Sequence, residues 1–519
     1  MTSNEVRPFR IRTITAFVDL HPDDFADEVV DDDVNDGNNA KGETLLGVYV
    51  KVNKCATILR ELETAFMNIG YEVQTLRIAT NPFGEWLTTT MTTTEYDGVV
   101  DDDDALESTT RGKRRKIDGG CYGEIRRRLS LLDGLLASND ISFCSLGPST
   151  IPNHTTEICP VIVSSSHRFS CSANVDSCDL NAARAASACM IRISKLGDDG
   201  YDNDGIDGGD HHVRGGIGNF RFCASSRIDT VPFFPGARSP PVRPTLTSPP
   251  DDDDDDDGEN DETGGGGECD NRPRTTTTMM MGFAIGLENG GFARMLLEEA
   301  KTISEIKRVF NGRLRDELLI VQGVCTSFVS SHHRTRRCDD DDCAVDIRYM
   351  GIDTSLNPSL DDGGSVADAI ECLGEVCGDF GRYGTMAAAS AITTSLQSIP
   401  DVLITGYCGL MLPVLEDRRL AELASVISEG GGDSGGGCRL TIDKIMCISS
   451  VCGVGVDTVP IPGKVDEDAL TSLILDVAAL AGRWDKPLSC RVFPVPGKVA
   501  GEMTTFDSPY LCNSRIFDF

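Results

Sequence analysis

Short apolar strands that alternate with helices place the strongest constraint on how this chain folds. In the C-terminal third, we predict strands at 402–406 (VLITG), 445–451 (IMCISSV) and 488–495 (LSCRVFPV), and helices at about 364–377, 384–397, 416–429 and 466–483. Strands that are apolar on both faces and separated by helices are typical of a mainly parallel sheet buried between helical layers. The sequence therefore predicts an α/β fold, either a large barrel or a doubly wound sheet.

The N-terminal part of the chain repeats this order of elements. We predict strands at 11–19, 72–78, 141–148, 219–225, 283–288 and 348–353, a strand-like segment at 45–52 (LLGVYVKV), and helices at about 53–68, 122–137, 181–192 and 290–321. Apolar residues at helical spacing, such as Ile58, Leu62 and Phe66, indicate the helices. The elements predict a single packed domain over about residues 10–510.

Five low-complexity inserts interrupt this domain. They lie at 22–43, 88–117, 197–215, 238–278 and 329–345, and they contain runs of aspartate. Because like charges repel one another and cannot bury apolar area, we expect these inserts to be disordered and solvated. They carry much of the net charge of −34 of this 519-residue chain. The charge therefore says little about the packed domain.

Composition argues against several classes of protein. An acidic chain is a poor nucleic-acid binder, because that affinity depends on Lys and Arg neutralising phosphates. The one basic cluster, RGKRRK at 111–116, lies within an acidic insert. We expect no membrane span, since no stretch of 18 apolar residues is present. The N-terminus enters a predicted strand without an apolar signal core, so we predict a cytoplasmic protein.

Cysteine and histidine placement narrows the chemistry further. The 20 cysteines show neither a disulfide framework nor a C-x-x-C pair, so we expect mostly buried free thiols. All seven histidines lie at or before residue 333. A site in the C-terminal third would therefore move protons with carboxylates, thiols, lysine or bound water, and we predict no His- or Cys-ligated metal there.

Seven motifs together resemble one known family. They are TLRIATNPF (75–83), PFFPGA (232–237), AIGLE (284–288), GIDTSLNPS (351–359), GYCGLMLPVLED (406–417), VCGVGVDTVPIPG (451–463) and KPLSCRVFPVPGKVAGE (486–502). In this order they resemble the domain-of-unknown-function 711 family, also called uncharacterised protein family 0210. The resemblance implies a ten-stranded β/α barrel similar to that of pyruvate formate-lyase-like enzymes, and an ACT-type protein as partner. It implies no established activity, and the oligomeric state, including a homo-oligomer, stays open.

The chain lacks residues that the motifs for three common cofactor or radical sites require. A glycyl radical requires Arg-Val-x-Gly, but Phe493-Pro494 follows Arg491-Val492. The Pro-Gly-Lys turns at 462–464 and 496–498 lack the other residues of a P-loop, and Gly453-x-Gly455 lacks the third glycine of an NAD fingerprint. The cofactor is therefore unknown, and a divalent cation held by carboxylates is the kind that the sequence leaves open.

Carboxylates and one thiol near predicted strand ends are the candidate catalytic groups. Asp353 and Asp457 either cap their own turns or act with Glu416 as acid and base over one site. Alternatively they share a divalent cation with Glu416 or Asp417. Cys452, beside a glycine, is either a reactive thiol or a buried inert one. We expect these groups to converge because ligands bind at the carboxyl ends of strands in α/β folds.

Basic and amide side chains supply the candidate substrate-binding residues. Arg77 and Asn81 near a strand end, together with Arg221, are predicted to clamp a carboxylate or phosphate. A structural salt bridge of the arginines with Glu288 or Asp353 is the alternative. Glu288 and Lys498, near the ends of two further strands, complete the predicted substrate-binding set.

Two functions follow from these residues. The leading hypothesis is an enzyme that acts on a small anionic metabolite, amino- or keto-acid-like, by carboxylate acid–base chemistry. The alternative is a non-catalytic metabolite-binding or regulatory protein that works with an ACT-type partner.

Overall fold

The computed structural model describes residues 7–26, 47–88, 119–197, 212–240, 279–335, 345–374, 377–426 and 440–519. The central parts of all five predicted inserts lie outside the described residues, so their predicted disorder stays a prediction. Their edges fold: one helix continues to Thr335 and a strand resumes at Val345, both within the predicted insert 329–345.

Within the described residues, nine strands form one sheet, and they come from the N-terminal, middle and C-terminal parts of the chain. The strands are β1 (Arg10–Val18), β2 (Leu76–Thr80), β3 (Phe143–Ser149), β4 (Phe169–Asn174), β5 (Phe222–Ser226), β6 (Met279–Glu288), β7 (Val345–Asp353), β8 (Gly455–Pro462) and β9 (Leu488–Val495). Their order in the sheet is β7-β6-β1-β2-β3-β4-β5-β9-β8. This mainly parallel sheet confirms the predicted α/β class.

The strands run in two opposing sets. β1 to β5 are parallel to one another, as are β6 with β7 and β8 with β9. The two pairings that join the sets, β1 with β6 and β5 with β9, are antiparallel. The carboxyl ends of β1 to β5 therefore lie at the same edge of the sheet as the amino ends of β6 to β9.

Helices cover the sheet and share its core. They are α1 (Gly47–Met67), α2 (Gly119–Ser138), α3 (Pro152–Glu157), α4 (Cys159–Ser165), α5 (Leu180–Ser194), α6 (Gly290–Ala300), α7 (Ile303–Val309), α8 (Arg315–Thr335), α9 (Val366–Glu371), α10 (Thr385–Leu396), α11 (Arg418–Ser425), α12 (Ile442–Ser449) and α13 (Glu467–Trp484). One large cluster of buried apolar side chains runs from Phe9 to Phe517 and joins helices and strands from every part of the chain.

Local patterns predicted most helices but misassigned four segments, 45–52, 290–321, 402–406 and 445–451. The strand-like segment 45–52 enters α1, because Val48 and Val52 continue the buried face of that helix at helical spacing. The predicted strand 445–451 lies mostly in α12, and the predicted long helix 290–321 is broken into α6, α7 and the start of α8. Short apolar runs do not distinguish a buried strand from a buried helix by periodicity alone.

The segment 404–413 contacts β7 and β8, the two outermost strands of the sheet. Isolated bridges pair Ile404 with Ile352 of β7, and Pro413 with Asp457 of β8. The predicted strand 402–406 therefore contributes bridge contacts rather than a regular strand.

Asp353 fixes this segment against β7. Its fully buried carboxylate accepts hydrogen bonds from the backbone N–H groups of Tyr407 (2.9 Å) and Cys408 (3.2 Å), and from both donors of Ser355. Gly406 has a φ of +82°, and a Cβ there would collide with the Asp353 carboxylate. Burial raises the pKa of Asp353, and these hydrogen bonds oppose that rise. The contacts match the turn-capping alternative for this residue.

We predict that Asp353→Ala lowers the free energy of unfolding by at least about 3 kcal/mol, because it leaves several buried donors without an acceptor. Urea denaturation measures the change. The matched control is Asp362→Ala, which removes a fully exposed carboxylate paired with Arg418; it should change stability by less than about 0.5 kcal/mol. Equal effects of the two substitutions would contradict the structural role of Asp353.

Candidate functional site

A polar cavity of about 440 Å³ opens beside the amino ends of β1 and β2. It narrows to an inner space of about 40 Å³. Arg12, Arg77, Phe234 and Glu416 line both parts. The cavity is the candidate site, because it places buried charges beside space that a small molecule can enter.

Arg491 is the best-paired charge at the inner end. This residue of β9 is 6% exposed, and its Nε and Nη2 atoms donate to the two Asp457 carboxylate oxygens at 2.5 and 3.0 Å. Nη2 also reaches Glu416 Oε1 at 2.9 Å, and Nη1 donates to the Phe220 carbonyl at 3.1 Å. Burial opposes the charge of Arg491, but Asp457 and Glu416 raise its pKa above the ordinary value.

Arg12 extends this pairing across the cavity. Its Nη2 donates to Glu416 Oε2 at 3.0 Å, and its Nη1 donates to Glu288 Oε2 at 2.7 Å. Glu288 Oε1 in turn accepts from Gln74 Nε2 at 2.7 Å. The result is an alternating row of charges, from Glu288 through Arg12, Glu416 and Arg491 to Asp457, which we call the charge row.

Glu416 occupies the middle of the charge row. It ends a short 3-10 turn (Val414–Glu416) that follows the bridge between Pro413 and β8. Burial raises its pKa, whereas Arg491 and Arg12 lower it, and the net direction is upward. A carboxylate with a raised pKa can exchange a proton closer to neutral pH than an exposed one can.

Arg77 differs from the other arginines of the cavity. It is 5% exposed, and among the described residues no carboxylate lies within salt-bridge distance of it. Its Nε donates to Thr75 Oγ1 at 2.9 Å, so the two Nη atoms carry the remaining donors. Burial, followed by the nearby charge of Arg12, lowers its pKa to about 9, which still leaves it protonated at neutral pH. The nearby carboxylate of Glu416 opposes this lowering, so the cavity contains a buried cation that feels a carboxylate but forms no salt bridge among the described residues.

Aromatic rings hold the Arg77 guanidinium. Its central carbon lies 4.7 Å from the ring centroid of Phe234 and 5.2 Å from that of Phe143. Phe220 and Tyr510 extend the same wall, with centroid distances of 5.2 Å between Phe220 and Phe234 and 6.1 Å between Phe220 and Tyr510. We call these four residues the aromatic wall. Cation–π contacts stabilise a guanidinium but leave its edge free for an anion.

Four predicted site residues meet in this cavity. They are Arg77, Glu288, Glu416 and Asp457. The reason for their convergence differs from the prediction, because the strands run in two directions. Arg77 is the second residue of β2 and faces the carboxyl end of the antiparallel set, where Glu288 ends β6. Strand carboxyl ends alone do not build the site.

Five other predicted residues lie elsewhere among the described residues. Asn81, beyond the opposite end of β2, bonds to Leu20 and Glu85. Arg221 donates to the carbonyls of Ser166 and Phe169. Asp353 binds the 404–413 segment as described above.

The remaining two are Cys452 and Lys498. Cys452 lines a separate cavity of about 440 Å³ beside Lys486. Burial raises the pKa of its thiol, which disfavours the reactive thiolate. Lys498 lies in a turn whose backbone bonds to Gly463 and Val495, and it does not line the described cavities.

The sequence reading missed Arg12, Arg491 and the aromatic wall. Arg491 had a detectable signal, because a charged residue in the otherwise apolar strand 488–495 requires a buried partner. Arg12 lies in a strand with mixed burial, where a charge is unremarkable. The aromatic wall combines Phe143, Phe220, Phe234 and Tyr510, which only the tertiary structure brings together.

No group of three or more His, Cys, Asp or Glu side chains within the described residues is arranged to hold a metal ion. Asp457 and Glu416 instead converge on the guanidinium of Arg491. Asp417, the other predicted partner for a shared cation, accepts from Ser365 Oγ and from the backbone N–H of Val366. It therefore fixes the start of α9 and α11.

Fold and site define an α/β protein with a buried cavity of arginines and carboxylates. The chain belongs to the family described as Uncharacterised ACR (DUF711), whose model matches residues 3–245 and 274–507. This confirms the resemblance drawn from the seven motifs.

Curated relatives carry the name UPF0210 protein. The protein from Methanocaldococcus jannaschii is 30% identical over 161 residues, which cover 31% of this chain and 33% of the relative. The protein from Pyrobaculum arsenaticum is 33% identical over 159 residues, which cover 30% of this chain and 33% of the relative. The protein from Bifidobacterium longum is 33% identical over 163 residues, which cover 31% of this chain and 33% of the relative. The alignments therefore span about a third of the relatives' length. No described helix is long and apolar enough to cross a membrane.

We predict that removing the two buried arginines, Arg491 and Arg77, has different effects on the free energy of unfolding. Arg491→Met leaves Asp457 and Glu416 buried without their cation, and should cost about 3–5 kcal/mol of unfolding free energy. Arg77→Met removes a buried cation that forms no salt bridge among the described residues, and should leave stability unchanged or raise it by about 1 kcal/mol. Urea denaturation of both variants without added ligand measures this. A loss for Arg77→Met as large as that for Arg491→Met would show that Arg77 has a structural partner.

Proposed function

We propose that this chain binds a small anionic metabolite in the cavity, with the anion on the Nη edge of Arg77. The observation that carries the proposal is a guanidinium that is 5% exposed, held by two rings and without a carboxylate partner among the described residues. A buried uncompensated charge costs stability, and a ligand that neutralises it gains a charge-assisted bidentate bond. Each carboxylate of the charge row already binds an arginine, whereas Arg77 forms no salt bridge among the described residues, which leaves Arg77 as the anion site.

We further propose that Glu416 is the acid–base group of an enzyme. It lines both parts of the cavity beside Arg77, and burial raises its pKa. Asp457 and Glu288 act as positioning residues in this proposal, since they hold Arg491 and Arg12 against Glu416. The proton would move between a Glu416 oxygen and the bound metabolite. Arg12 and Arg491 would stabilise the Glu416 carboxylate that remains after the proton has left.

A closed barrel is part of the same proposal. β1 and β9 are far apart in the sheet order, yet Arg12 of β1 and Arg491 of β9 bind the same Glu416 side chain. The bridges at Ile404 and Pro413 link the two outermost strands through one segment. These contacts support a sheet that closes into a ten-stranded barrel with 404–413 as its tenth member. The likeness to pyruvate formate-lyase-like enzymes stays a prediction.

A non-catalytic binding or regulatory role is the second candidate. One observation favours it: each of the three carboxylates in the charge row already binds an arginine, so none of these three is a free base. The cytoplasmic location and the ACT-type partner stay predictions from the sequence.

Anion binding is tested by isothermal titration calorimetry with pyruvate, acetate and inorganic phosphate as probes. We expect at least one of these anions to bind the unchanged protein and to lose binding in Arg77→Met. Arg77→Lys keeps the charge but not the planar fork, and should weaken binding about tenfold. Binding that persists in the folded Arg77→Met variant would place the anion elsewhere.

Turnover separates the two candidate functions. Each anion that binds is incubated with the protein and followed by proton or phosphorus NMR. The enzyme proposal predicts consumption that Glu416→Gln slows by at least about 100-fold, with less than a tenfold change in Kd. Binding without consumption in both proteins would favour the regulatory role.

A further inference from the structure

We propose that the bound anion is an aromatic carboxylate whose ring lies against the aromatic wall. This inference rests on the proposed anion site and specifies the class of molecule that fits it. The juxtaposition that carries it is a free guanidinium edge at one end of the wall and open ring surface at the other.

The inner end of the cavity selects a carboxylate. Thr75 occupies the Nε donor of Arg77, and Phe143 and Phe234 lie beside the guanidinium. The two Nη donors form the outer edge of the planar guanidinium, which matches the two oxygens of a carboxylate. The inner space of about 40 Å³ has no room for a large group beyond that carboxylate.

The outer part of the cavity selects the rest of the molecule. Its volume of about 440 Å³ exceeds what a two- or three-carbon acid fills. Phe143, Phe220, Phe234 and Tyr510 all line it, and Tyr510 is 48% exposed. Phe143 and Phe220 are each 8% exposed, so Tyr510 supplies the open ring surface, on which an aromatic ligand can adopt offset or edge-to-face contacts.

Tyr510 is the specificity-determining residue in this proposal. It belongs to the C-terminal segment, beyond the part of the chain that the family model matches, which ends at residue 507. The segment is fixed beside the site, because the Cys512 backbone N–H donates to the Leu415 carbonyl at 2.8 Å, next to Glu416. Tyr510 therefore closes the outer wall on an anchored segment.

Titration calorimetry with matched acids tests this inference. Benzoate and phenylpyruvate are compared with acetate and pyruvate, which carry the same acid groups without the ring, and benzyl alcohol supplies the ring without the charge. We expect the aromatic acids to bind at least about tenfold more tightly than their small counterparts, and benzyl alcohol not to bind measurably.

Variants then separate the ring contact from the anion contact. Tyr510→Ala should reduce the affinity for benzoate and phenylpyruvate by about tenfold and leave the affinity for pyruvate unchanged. Tyr383→Ala, which removes a fully exposed ring that does not line the cavity, should change neither. Arg77→Met should abolish binding of all the acids.

The outcomes distinguish this inference from the proposed function. If pyruvate binds as tightly as phenylpyruvate and Tyr510→Ala has no effect on either, the aromatic class is wrong while the anion site survives. If none of the acids binds the unchanged protein, both proposals fail.

Discussion

The ion pair of Arg491 with Asp457 and Glu416 is the interaction on which the site depends. It is buried, it joins β8 to β9, and it fixes the turn that follows the 404–413 segment. Through Glu416 and Arg12 the same charges reach β1 and β6 on the other side of the cavity. A buried pair is stable only while every member is present, because each charge left alone in a low dielectric is costly. The charge row therefore links strands that lie far apart in the sheet order, β1 and β6 on one side and β8 and β9 on the other.

Arg77 lines the same cavity but differs from these paired arginines. Two aromatic rings lie against its guanidinium, and Glu416 acts on its charge, but no carboxylate among the described residues forms a salt bridge with it. Proteins keep an unfavourable buried charge where a ligand supplies the missing partner, so local instability marks a binding position. The charge row joins strands of the scaffold, and in the proposed function Arg77 provides the affinity for the anion. One cavity therefore combines two arginines that form salt bridges, Arg12 and Arg491, with one that forms none among the described residues, Arg77.

Part of the site could be predicted because certain residues are conspicuous in the sequence. Arg77, Glu288, Glu416 and Asp457 stand at or near the ends of apolar segments rich in Gly or Pro, where a charge is unexpected unless it has a role. Asp353 and Cys452 stand in equally conspicuous places, yet one caps a bridge and the other is buried in a different cavity. A local motif indicates that a residue matters, but it does not distinguish a structural contact from a ligand contact. That distinction depends on neighbours from distant parts of the chain.

The sequence by itself determined the α/β class, most of the helices and the family, because these depend on periodicity, composition and motif order within short windows. Only the tertiary structure decided that the strands run in two opposing sets. Strand direction is set by long-range pairing, which local periodicity does not encode. That direction brings Arg77 to Glu288 and sends Asn81, four residues further along, to the opposite edge. Strand pairing therefore determines which side chains meet in the cavity, because it sets the edge of the sheet at which each residue lies.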